Sequence, residues 1–63
     1  MNIGDVVYTP RFCTVKISDV FESKEEAGDA GYTEPTYYRG EYDIYGKSID
    51  DRHMVFAAVR RRQ

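Results

Sequence analysis

The segment FCTVKISDVF, residues 12–21, constrains the fold more than any other stretch. Cys13, Val15, Ile17 and Phe21 fall at odd positions, while Thr14, Lys16 and Ser18 fall at even ones. A period of two with one apolar face is the signature of a half-buried strand in an antiparallel sheet. The residues that follow switch to helix chemistry at once. SKEE (23–26) has the form of a capping box, in which Ser23 accepts from the Glu26 N–H and the Glu26 carboxylate reaches back to the Ser23 N–H. Gly31 stands where a left-handed residue ends a helix, and Pro35 prevents resumption. Two helical turns over 24–30 are predicted, weakened by Gly28 and apolar only at Ala27 and Ala30. So small a helix forms only by docking on a sheet.

The other strands are read by the same criteria. GDVVYT (4–9) is a short strand that Pro10 ends or confines to a sheet edge. One short extended piece falls at 36–38, and EYDIYGKSI (41–49) is a strand in which Gly46 predicts a bulge. DDRH (50–53) is a turn. MVFAAVRRR (54–62) is apolar on both faces from Met54 to Val59, which predicts a central or doubly covered strand. The order β-β-α-(β)-β-β describes one α+β domain over 1–63: a small antiparallel sheet of three to five strands with one short helix near 23–30. An SH3-like barrel is the closed form such a sheet could take. The expected core is Val7, Cys13, Val15, Ile17, Phe21, Ala27, Ile44, Val55 and Ala57.

Size sharpens the question of what holds such a sheet together. A chain of 63 residues buries only about 60% of its unfolded surface. Cys13 is the single cysteine, so neither an intrachain disulfide nor a cysteine-rich zinc site is available. That leaves homo-oligomerisation as a third staple. MNIGDVVYTP has neither the basic nor the apolar region of a signal peptide, and no window approaches a membrane span. A cytoplasmic, reduced, soluble protein is expected, without a membrane partner.

Catalysis and metal binding find little to build on. His53 is the one histidine, in a polar turn beside Asp50 and Asp51. Ser23 is spent as a cap, Cys13 is expected in the core, and no phosphate loop, nucleophile elbow or calcium loop is present. No catalytic residue, metal or cofactor is expected.

Binding is better represented. Tyr32, Tyr37, Tyr38, Tyr42 and Tyr45 are five of the six tyrosines. Tyrosines cover thin cores with their rings, but tyrosine is also the stuff of binding hot spots. Tyr37, Tyr38, Tyr42 and Tyr45 are therefore the candidate protein-binding surface of a non-enzymatic module. The net charge of −2 hides a polarised chain. Asp19, Glu22, Glu25, Glu26, Asp29 and Glu34 surround Lys24, whereas residues 52–63 hold Arg52, Arg60, Arg61 and Arg62 without an acid. Those four arginines with Arg39 define the alternative, a nucleic-acid accessory factor that contacts phosphates and stacks tyrosines on bases.

Residues 23–61, through AGYTEPTYY and YDIYGKSIDD, resemble small uncharacterised proteins carried on conjugative and other mobile elements of gut Firmicutes. The resemblance implies an accessory or interaction protein of bacterial mobile DNA and transfers no functional residues. The opening IGDVVY resembles the start of small SH3-type barrels.

Overall fold

The computed structural model describes residues 1–61, and residues 35–39 through their backbone. Five strands and one helix follow in the order β1 (Val6–Thr9), β2 (Cys13–Phe21), α1 (Lys24–Asp29), β3 (Glu34–Arg39), β4 (Tyr42–Ser48) and β5 (Met54–Arg60). The strands form one sheet in the order β1-β2-β5-β4-β3. The doubly apolar β5 is central, as its composition predicts.

The sheet is mixed, which corrects the antiparallel expectation. β1·β2, β3·β4 and β4·β5 pair antiparallel, but β2 and β5 run parallel from Ile17↔Phe56 to Phe21↔Val59. A parallel neighbour needs a long crossover, and α1 with the β3–β4 hairpin supplies it. β1 and β3 stand at the two ends of the strand order, so the sheet is open and the SH3-like closure does not form among the described strands.

A bulge in β2 divides the core in two. The register jumps between Ile17 and Asp19, leaving Ser18 as the extra residue. Before it, Val15 and Ile17 join Val7, Ile44, Phe56 and Ala58 on one face. Beyond it the pleat is inverted: Val20 joins that face, and Phe21 turns to the other with Ala27, Tyr32, Tyr45, Ala57 and Val59. An unbroken alternation would have kept Phe21 with Ile17; one inserted residue flips every side chain after it. A second bulge lies in β3 between Pro35 and Tyr37, whereas Gly46, expected to bulge, pairs in register with Phe56.

Cys13 is exposed, not in the core. It closes the β1–β2 hairpin with φ +59, a left-handed conformation that turns its side chain away from the expected face. The hairpin is tied by Thr9, whose Oγ1 donates to the Cys13 carbonyl at 3.1 Å and accepts from the Phe12 N–H at 3.1 Å. This bonding explains why a threonine is fully buried here.

α1 is capped as its sequence predicts, with one difference. Ser23 Oγ accepts from the Glu26 N–H at 3.3 Å, but the Glu26 carboxylate accepts from the Glu22 N–H rather than that of Ser23. At the other end Gly31, at φ +98, lets the Tyr32 N–H reach the Ala27 carbonyl at 2.9 Å and its own N–H reach Gly28 at 3.0 Å. This is the Schellman pattern, with Tyr32 buried against Ala27. The last turn has no basic residue of its own. Lys47 of β4 substitutes, donating to the Ala30 carbonyl at 3.3 Å and lying 4.9 Å from the Tyr32 ring centre.

Candidate functional site

The four-tyrosine surface is not assembled as the sequence suggests. Tyr45 is 4% exposed and packs under α1 with Ala27, Tyr32, Ala57 and Val59. Tyr42, three residues away on the same strand, is half-buried against the opposite core. The pleat of β4 puts the two on opposite sides of the sheet. The side chains of Tyr37 and Tyr38 lie outside the described residues.

Among the arginines, Arg52 is set apart from Arg60 and Arg61. Arg52 lies in the turn before β5, and Arg60 ends that strand, with a strand of roughly 20 Å between them. Arg61 is held by Asp43, with Nη2 at 2.6 Å and Nε at 3.1 Å from one carboxylate oxygen. The Arg39 side chain and all of Arg62 lie outside the described residues. One grouping survives in the backbone register: Arg39, Tyr42 and Arg60 occupy one rung across β3, β4 and β5.

A different feature stands out at the other end of β5. β2 starts at Cys13 but gains β5 as a neighbour only from Ile17 onward. Residues 13–16 have no paired partner on that side, and Met54 and Val55, the first two residues of β5, precede the first pair and line the gap between the strands with the 50–53 turn. The result is an open groove of about 660 Å³, against about 470 and 230 Å³ for two other hollows. Phe12, Val15, Met54, Val55 and Phe56 supply its apolar lining; Lys16, Ser18, Asp51, Arg52 and His53 are among its polar residues. The Phe12 and Phe56 rings lie 5.2 Å apart and tilted by 57°, with the Arg11 guanidinium 5.0 Å from the Phe12 ring.

The hydrogen-bond parity of β2 adds a ledge to that groove. The Ile17 N–H donates to the Asp5 carbonyl at 2.8 Å, so in the β1 ladder Ile17 and Val15 direct their backbone groups toward β1. Thr14 and Lys16 alternate with them and direct their N–H groups away from β1, toward the side of the groove.

The far wall is a turn organised by Asp50. Its carboxylate accepts from the Arg52 N–H at 2.8 Å and the His53 N–H at 2.9 Å, and lies 2.9 and 3.0 Å from His53 Nδ1. The Ile49 N–H closes the loop on the His53 carbonyl at 2.9 Å. The Arg52 amide, then the His53 side chain, then the His53 amide hold the Asp50 carboxyl below its ordinary range. The pair His53–Asp50 is thus explained as a turn-building contact at the surface, with the histidine 73% exposed. No group of three or more metal-ligating side chains occurs among the described residues.

Sequence reasoning missed Phe12, Thr14 and Lys16 as site residues. The polar positions of a half-buried strand read as solvent-facing, and nothing local reveals that pairing with the neighbouring strand starts four residues into β2. No family model matches the chain, and neither does any curated protein or solved structure. No helix among the described residues is long and apolar enough to cross a membrane.

Proposed function

We propose that the protein is a non-enzymatic binding module that takes an extended segment of another protein alongside the start of β2. The unpaired start of β2, residues 13–16, beside an open groove carries this reading. A segment laid there would find the backbone N–H groups of Thr14 and Lys16, in the manner of strand addition, with Val15 and Phe56 receiving alternate side chains. Lys16 and Arg52 are balanced by Asp50 and Asp51, which favours a segment of low charge over a polyanion. The resemblance to mobile-element proteins supports a bacterial accessory role with a cytoplasmic partner.

The test is a panel of extended peptides, alternately apolar, titrated into the labelled protein and followed by amide chemical shifts. The reading expects shifts at Thr14, Lys16 and Arg52, with the β3–β4 turn at Gly40 and Glu41 unchanged. Shifts centred on that turn, or no binding across the panel, would refute it.

A second reading rests on the Arg39–Tyr42–Arg60 rung, which sets two cationic positions beside an aromatic one as single-stranded nucleic acid requires. It predicts binding of labelled DNA or RNA that weakens with salt on a shallow slope of about two to three phosphates. Absence of binding at low salt removes it.

A further inference from the structure

Three of the exposed large apolar residues gather at or just ahead of one edge strand: Ile3 at 68%, Val6 at 67% and Tyr8 at 61% exposed. β1 is the end of the sheet, and its antiparallel pairing with β2 uses the backbone of Asp5, Val7 and Thr9. Val6 and Tyr8 therefore present their N–H and C=O groups outward, beyond the sheet. Their side chains share the face on which α1 packs over β2 and β5. An edge that offers both open backbone groups and apolar side chains is a template for pairing.

We infer that this edge pairs with a second copy of the same chain. The strand is self-complementary about a twofold axis at Val7. Antiparallel pairing there sets Val6 of one copy opposite Tyr8 of the other, twice, and both pairs sit at positions that exchange two backbone hydrogen bonds. A β-branched residue opposite an aromatic one is a favourable cross-strand pair. Asp5 falls opposite Thr9, so no like charges meet along the strand. Because Val6 neighbours Lys16 and Tyr8 neighbours Thr14 across β2, the four-strand row reads Lys16, Val6, Tyr8, Thr14. The apolar pair is central, and each lysine is at a rim. The contact is isologous: it consumes both β1 edges and closes at two copies instead of growing into a fibre. With only four residues in the strand, the interface lies below the size of stable complexes, which places the dissociation constant in the micromolar range or weaker.

The experiment is sedimentation equilibrium from about 1 μM to 1 mM with reductant present to keep Cys13 unbridged, beside isotope-filtered spectra of a mixed labelled and unlabelled sample. A monomer–dimer equilibrium is expected, with intermolecular contacts from Val6 methyls to the Tyr8 ring. Val6→Lys, at an exposed position, retains the far-UV spectrum and weakens the dimer at least tenfold, and Val6→Ile retains it. A monomer at 1 mM, a dimer indifferent to Val6→Lys, or assembly beyond two copies would each overturn the inference.

Discussion

At Tyr32 one side chain joins the helix, the sheet and the acid–base behaviour of the fold. Its hydroxyl donates to Asp19 at 2.8 Å, and its ring lies 5.5 Å from that of Phe21, tilted by 55°, with the Lys47 ammonium 4.9 Å from its centre. Burial first, and the Asp19 carboxylate second, push the hydroxyl from its ordinary 10.0 up to about 12. The folded state thus prefers the neutral phenol. That stabilisation is complete below about pH 10 and is lost as pH rises toward 12. Denaturant midpoints should fall across that interval. In Tyr32→Phe the fall should flatten while stability at neutral pH drops by about 1 kcal/mol for the lost hydrogen bond. An unaltered alkaline limb in the variant would remove Tyr32 as its origin. Cys13 makes the converse point about backbone. Its φ of +59 is costly for any residue with a Cβ, so Cys13→Gly should raise stability by about 1 kcal/mol in urea titrations. No local pattern foretells this, because the alternation of β2 reads Cys13 as one more apolar residue.

The short helix and the interrupted strand show where sequence reasoning succeeds at the scale of elements. α1 was foreseeable because its signals are local: Ser23 and Glu26 at one end, Gly31 at the other, each acting within a turn of itself. The Lys47 contribution to the helix C-terminus was not, since it comes from a strand seventeen positions away. Both act on Gly31. A Cβ there would sit 2.8 Å from Lys47 Cδ while φ stays at +98, so Gly31→Ala should destabilise by about 1 kcal/mol or more. Most of that loss should remain in the Lys47→Ala background, because the backbone strain persists when the crowding is relieved. Complete recovery in the double variant would assign the loss to Lys47 alone. In β2 the period of two was visible and its break was not. Ser18 looks like an ordinary polar position, and only the parallel partner β5 shows that it is an extra one.

Across the whole molecule, what a sequence reveals thins out with distance along the chain. The central placement of β5 was evident from its two apolar faces, and six of the nine expected core residues, Val7, Val15, Ile17, Ala27, Ile44 and Ala57, are buried. Phe21 and Val55 are partly so. The direction of β2 against β5 was not evident, because parallel and antiparallel neighbours demand the same apolar composition. The candidate site depends on that long-range pairing and its offset, which is why tyrosine and arginine counts pointed elsewhere. Tyr45, chosen for a surface, fills a core, while Thr14 and Lys16 border the groove. The unpaired start of β2 is the central claim, and amide hydrogen exchange along that strand tests it most directly. The Val15 and Ile17 amides, bonded to β1, should be protected, and the Thr14 and Lys16 amides should exchange many-fold faster. Equal protection at all four would mean that this stretch is already paired, and would contradict the account.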